Sequence, residues 1–262
     1  MTTTRGPGRV KEWPRHGDCL RSLDRGLRRP SYLRRWPGVS RAEPIYDAAI
    51  PAVLSLDRHS TYLIACQGDQ SQAVRLYAWN VAISAALWGG FNVMEVALRN
   101  AMHEQLAKLA GREDWWNGNI PLFPYERNQV ADTITAMVAQ KGTALTPGHV
   151  VSDLTLGFWV KLLANGYHPR LWVPALRFAF PHLSGPRRDL HRDLERLRKL
   201  RNRAAHHEPV FARNLADDHA RVLAVLATIS PAAKRWVDHD SRVPQVLAAR
   251  QATVHGQLPT SF

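Results

Sequence analysis

An all-α fold, a helical bundle with a flexible basic N-terminal arm and additional peripheral helices, is what this sequence predicts, on three observations. From Pro44 onward apolar residues recur at three- and four-residue spacing. Nowhere do apolar and polar residues alternate for long enough to make a half-buried strand. No fixed repeat period runs through the chain, which argues against a solenoid and for helices layered about one core. With 262 residues, 45% of them hydrophobic, there is enough apolar surface to bury.

The elements follow in order. Residues 1–44 are rich in Arg, Gly and Pro without a sustained period, and read as a basic arm; a solvated leader, or residues upstream of the true start, would look the same. The helical domain is expected over 45–255. A short helix fits Ile45–Leu56, weakened by Pro51. Ser71–Trp88 carries a broad apolar face through Val74, Tyr77, Ala78 and Val81, widened by Leu76, Trp79, Ile83 and Leu87, which argues for deep burial. Gly89–Gly90 is expected to break or kink the run before Phe91–Leu109, which Gly111 ends. Trp115–Pro124 reads as a loop, and Tyr125–Lys141 as a helix stopped at Gly142. Two or three short helices fit 149–180, interrupted by Gly157, Gly166, Pro169 and Pro174. The clearest helix opens at Ser184–Gly185–Pro186, carries Leu190, Leu194, Leu197 and Leu200, and stops before Pro209. Further helices are expected near Asn214–Ile229, Pro231–His239 and Val243–Gln251.

Composition narrows the partners. A net charge of +13 makes a polyanion the natural one, and eleven of the 35 Lys/Arg lie in residues 1–44, so the larger part of the excess charge belongs to the arm. Cys19 and Cys66 are the only cysteines and have no paired spacing, which points away from a disulfide framework or zinc knuckle and toward a reducing cytoplasm. No signal-peptide pattern opens the chain. The uncharged stretch Leu76–Met94 is nearly long enough to span a bilayer, but it carries Asn80, Ser84, Asn92 and two glycines and runs into a charged helix. A buried core helix, with no membrane partner, is the expectation.

The chemistry-bearing segment is Leu197–Phe211, LRKLRNRAAHHEPVF. Arg201 lies eleven positions after Leu190 and so returns to the middle of the leucine stripe, where a guanidinium that cannot shed its proton needs an anion, a protein carboxylate or a ligand phosphate. His206 is five positions further, about 140° around an ideal helix, so the two side chains do not converge unless the last turn unwinds or the pair acts across a dimer. A purely structural helix end would also carry Arg203, His206 and His207, because cations are favoured there by the macrodipole. On that reading His207 is a solvated neighbour or cap and Glu208 an ion-pair partner of Arg203. Earlier in the chain Glu95, Arg99 and His103 stack at i, i+4 and i+8 beside Asn100, which reads first as an i,i+4 ion pair with a histidine at its edge. His206, His207 and Glu208 are adjacent rather than one helical turn apart, so no metal site is expected. Trp115, Trp116, Trp159, Trp172 and Trp236 could stack bases, though core or lid packing suits their contexts better. The arginines 187, 188, 192, 196 and 198, interleaved with Asp189, Asp193 and Glu195, read as an ion-paired outer face.

Arg201-Asn202-Arg203-Ala204-Ala205-His206 resembles the Arg-x(4–6)-His signature of HEPN domains, and RNRAAHHEPVF is similar to the Abi-like (abortive infection) family of that superfamily. YAWN (77–80), EVALRN (95–100), LGFW (156–159), Leu171–Trp172 with Leu176–Arg177, and SRVPQVL (241–247) follow in the family's order, so the resemblance covers roughly 65–250. It implies a HEPN-like bundle and a metal-independent endoribonuclease toxin in phage defence, needing no cofactor and leaving 2′,3′-cyclic phosphate ends. The implied partners are an RNA substrate, a second copy in a homodimer with paired motifs, and an antitoxin protein or small RNA. His206 is then the general acid/base, Arg201 the phosphate clamp and Asn202 an orienting partner. Glu95 or Asn100 is the polar residue that the family sets beside the motif from an early helix, with Arg99, His207 and Glu208 in support and Arg203, Arg187 and Arg188 toward RNA. The competing expectation is a non-catalytic HEPN protein that binds RNA or a partner through the same surface.

Overall fold

In the computed structural model, which describes residues 50–262, the chain runs as α1 (Ile50–Leu54), α2 (Leu56–Ala65), α3 (Gln70–Ala110), α4 (Pro124–Lys141), α5 (Pro147–Asp153), α6 (Leu156–Lys161), α7 (Arg187–Ala205), α8 (Leu215–Ile229), α9 (Pro231–Asp240), α10 (Val243–Ala248) and α11 (Arg250–Val254). Short 3-10 and π turns join them, and no strand occurs among the described residues. The basic arm 1–44, the Ile45 start expected for the first helix, and Cys19 lie outside the described residues.

The axis of the fold is α3, 41 residues long, against which α2 and α5 through α11 all pack. Its buried stripe, Trp79, Ile83, Leu87, Phe91, Met94, Leu98, Met102 and Leu106, keeps helical register from end to end. The expected break at Gly89–Gly90 is absent. Two mid-helix glycines cost roughly 1 kcal/mol each, whereas each fully buried large side chain returns about 1.5–3 kcal/mol. Leu87, Phe91 and Met94 carry the stripe across the glycines, so packing overrides local propensity. The same helix is long and apolar enough to cross a membrane by length and composition, and it lies at the centre of the bundle.

Other departures have similarly local causes. Leu56–Ala65 forms a helix that no apolar stripe announces, because its buried face is made by His59 and Tyr62. His59 Nε2 hydrogen-bonds Gln70 Oε1 at 2.8 Å, and Tyr62 packs edge-on against Tyr77. Pro186 caps α7 from just outside rather than sitting in its first turn, and the single helix expected over Val243–Gln251 divides at Ala249 into α10 and α11. On α7 the leucines 190, 194, 197 and 200 are buried, while Arg192 pairs with Asp189 at 3.0 Å and Arg196 with Asp217 at 3.6 Å on the outer face. Trp115 and Trp159 are core residues, each 1% exposed or less.

Candidate active site

The site grows from the meeting of α3 and α7. Arg201 emerges from the leucine stripe of α7 beside Glu95 of α3; its Nε donates to Oε1 at 2.7 Å and Nη2 to Oε2 at 3.5 Å. A planar guanidinium matched to both carboxylate oxygens is held in position as well as neutralised. The guanidinium also lies over the Trp88 ring, its Cζ 5.2 Å from the ring centroid. Arg201 is therefore braced by two contacts, a carboxylate and an aromatic ring, at the edge of a cleft of about 390 Å³.

Glu95, Arg99, Asn202, Arg198, Trp159 and the Ser152–Gly157 turn also line that cleft. Arg99 does not pair with Glu95 as its i,i+4 spacing suggested; its Nη1 donates to the Ser152 carbonyl at 3.2 Å and ties α3 to the end of α5. Arg198 is held by Glu195 at 2.9 Å. The indole Nε1 of Trp159 is buried and donates to no acceptor among the described residues. His103 has left the stack: its Nδ1 accepts from Trp115 Nε1 at 3.1 Å, and burial holds its pKa below the ordinary imidazole value. Asn100 is exposed on α3 and does not line the cleft.

The two halves of the motif are not brought together within the chain. α7 stays helical through Ala205, and the His206 N–H still donates to the Asn202 carbonyl at 2.9 Å, so the last turn does not unwind toward Arg201. The reversal comes one residue later. His207 has φ +57°, its N–H reaches the Ala204 carbonyl at 3.1 Å, and the Glu208 N–H reaches the Arg203 carbonyl at 2.8 Å, the paired bonds of a Schellman cap in which glycine is the usual residue. His206 is exposed at this corner and does not line the Arg201 cleft. His207 faces a separate, mainly apolar groove of about 450 Å³, with Tyr77, Val81, Trp88, Ala204 and Ala205 in its walls.

Two arginines assigned to RNA are engaged in the fold instead. Arg203 donates from Nη2 to the Pro209 carbonyl at 2.8 Å and lies 3.3 Å from Glu208, so Glu208 is its ion-pair partner. Arg187 reaches back to the Leu163 carbonyl, to Asn165 Oδ1 and to His168 Nδ1, and burial lowers its pKa. Arg188 remains exposed at the start of α7. Trp88 is the site residue that sequence reasoning missed; it has no local signal, because its part is defined by the Arg201 guanidinium that α7 places over its ring. Among the described residues no group of three or more His, Cys, Asp or Glu side chains is placed to hold a metal ion. No family model, curated protein or solved structure matches the chain.

Proposed function

We propose that the protein is a metal-independent endoribonuclease of the HEPN type, acting in the cytoplasm as an abortive-infection toxin. The observation that carries the reading is Arg201, a permanent cation braced by Glu95 and Trp88 at the rim of a polar cleft, five residues before an exposed histidine. Such an arginine is preorganised for the charge that builds on phosphoryl oxygens. The reaction needs few parts. His206 takes the proton from the RNA 2′-OH, the oxygen attacks the adjacent phosphorus, and the P–O5′ bond breaks as the leaving 5′-oxygen takes a proton from water, giving a 2′,3′-cyclic phosphate and a 5′-hydroxyl. Asn202, on the cleft wall beside Arg201, orients the phosphate. DNA lacks the nucleophile and is spared.

Because Arg201 and His206 face apart on one chain, the reading includes a homodimer in which each supplies the other's missing half, with the apolar groove at Trp88 and His207 as the contact face. An antitoxin protein or a small RNA would restrain such an enzyme between infections. A second reading, a non-catalytic protein that binds RNA or a partner through the same cleft, is favoured by that same separation and by Glu95 already occupying Arg201. The discriminating experiment is cleavage of mixed single-stranded RNA in excess EDTA by wild type, Arg201→Ala and His206→Ala. Cyclic-phosphate ends made by the wild type and lost in both variants support the nuclease. Tight RNA binding that depends on Arg201, without cutting, supports the regulatory protein.

A further inference from the structure

The Arg201 cleft does not end at Arg198. Thr155, Gly157 and Arg198 form its far side and at the same time line a second cleft of about 630 Å³, which continues to the first turns of α4 at Phe123 and Tyr125. Gly157 stands at the waist. A Cβ there would meet Thr155 Oγ1 at 3.6 Å and Arg198 Cδ at 3.7 Å, ordinary contact, so a methyl group fits but a larger side chain would fill the space between the two clefts.

We infer that the two clefts form one groove for single-stranded RNA, with a phosphate held at Arg201 and a base several nucleotides away stacked on Tyr125. The inference rests on the RNA-cleaving reading and extends it from a single phosphate to a substrate path. Tyr125 is 68% exposed, unusual for an aromatic in a helix's first turn, and presents a free ring face at the end of the groove. Lys161, in the wall of the same cleft, makes no ion pair among the described residues. A cation followed by an open aromatic platform is how single strands are bound without base-specific contacts. Of the carboxylates in the lining, Glu95 holds Arg201 at 2.7 Å, Glu195 holds Arg198 at 2.9 Å and buried Glu126 accepts from the Tyr167 hydroxyl at 2.7 Å, while exposed Asp153 makes no ion pair among the described residues and a phosphate must sit on the Arg201 side away from it. With Arg198 so neutralised, stacking and hydrogen bonds rather than charge dominate the Tyr125 half.

The test is fluorescence anisotropy on the full chain with 2′-O-methyl RNA of four and of twelve nucleotides, which binds but cannot be cut. Tyr125→Ala is expected to weaken the twelve-mer on the order of tenfold, as loss of one stacked base does, while leaving the four-mer unchanged, and Tyr125→Phe to restore it. Gly157→Leu, which plugs the waist, should bring twelve-mer affinity down to that of the four-mer. If Tyr125→Ala and Gly157→Leu bind both lengths as the wild type does while Arg201→Ala binds neither, the groove is refuted and the RNA reading stands. If folded wild type binds neither length, both fall.

Discussion

Removing either member of the Glu95–Arg201 pair should destabilise the protein by an amount that the geometry bounds. One hydrogen bond is short, 2.7 Å, and the other long, 3.5 Å, and the side chains are 22% and 31% exposed. A shielded charged hydrogen bond contributes about 1.5–3 kcal/mol and a fully exposed ion pair about 0.2–1 kcal/mol. A pair that is mostly but not wholly shielded, with one good bond, falls near 1.5 kcal/mol. Glu95→Ala is expected to cost about that much, lowering Tm by roughly 3–6 °C for a chain of this size. Arg201→Ala should cost up to about 1 kcal/mol more, because it also removes the contact with Trp88. The double variant should then cost little beyond Arg201→Ala alone, leaving a coupling energy of about 1.5 kcal/mol in a double-mutant cycle. Urea denaturation of the four proteins measures it. A coupling below roughly 0.3 kcal/mol, the level at which distant sites add, would refute the claim that Glu95 holds Arg201 in place.

Three further outcomes are expected. Gly89 is exposed in mid-α3 with open space where a Cβ would sit, so Gly89→Ala should stabilise by roughly 0.8–1 kcal/mol and raise the urea midpoint; a lowered midpoint would mean that the helix needs the glycine. His103, His191 and His219 all have pKa values depressed by burial, against nearby carboxylates that act the other way. The unfolded chain therefore takes up protons first as pH falls below about 6.5. Stability should be fully present above that pH and decline below it toward the depressed folded values. Urea midpoints between pH 8 and 5 read this, and His219→Gln should flatten part of the decline. If the site is shared between two chains, mixing Arg201→Ala with His206→Ala should restore about a quarter of wild-type cleavage, since half of the dimers are mixed and one of their two sites is intact; a site within one chain restores none.

What could be read from the sequence was set by periodicity. α3, α4, α7 and α8 were legible because their burial follows helical spacing, whereas α2 was not, since His59 and Tyr62 do the work of aliphatic residues there. Gly89–Gly90 misled because propensity is local and the stripe running past it is not. At the site, the need of Arg201 for an anion followed from a permanent charge on a leucine stripe. That Glu95, 106 positions away, would supply it followed from the family resemblance, which sets Glu95 or Asn100 beside the motif, and not from spacing along either helix, which does not encode how α3 and α7 pack. The i,i+4 rule would have given Glu95 to Arg99 instead, but Arg99 turns to the Ser152 carbonyl while Glu95 takes Arg201 at 2.7 Å. The two adjoining clefts were invisible for the same reason: their walls come from α3 through α7, and Gly157 reads in sequence only as a helix interruption.

The corner after α7 decides how Arg201 and His206 can cooperate. His207 adopts a left-handed conformation that costs a non-glycine residue roughly 1–2 kcal/mol, and the surroundings over-determine it. Its carbonyl accepts from Arg58 of α2, the Val210 N–H is fixed by buried Asn80 of α3 at 2.8 Å, and Arg203 closes on the Pro209 carbonyl. Pro209 restricts the residue before it as well. Three elements thus clamp residues 207–210, so His206 is held at a rigid corner and not on a mobile tail. Five residues of helix separate it from Arg201, roughly 7.5 Å along the axis and about 140° around it. In RNA cleavage the 2′-oxygen and the phosphorus it attacks belong to one linkage, and the base must lie within hydrogen-bond reach of that oxygen. A clamp on the phosphate and a base on the hydroxyl must therefore converge within a few ångströms. Swinging His206 round would break the cap and all three clamps at once, whereas a second chain bringing its own corner to this cleft breaks none, which is why the nuclease reading requires the dimer.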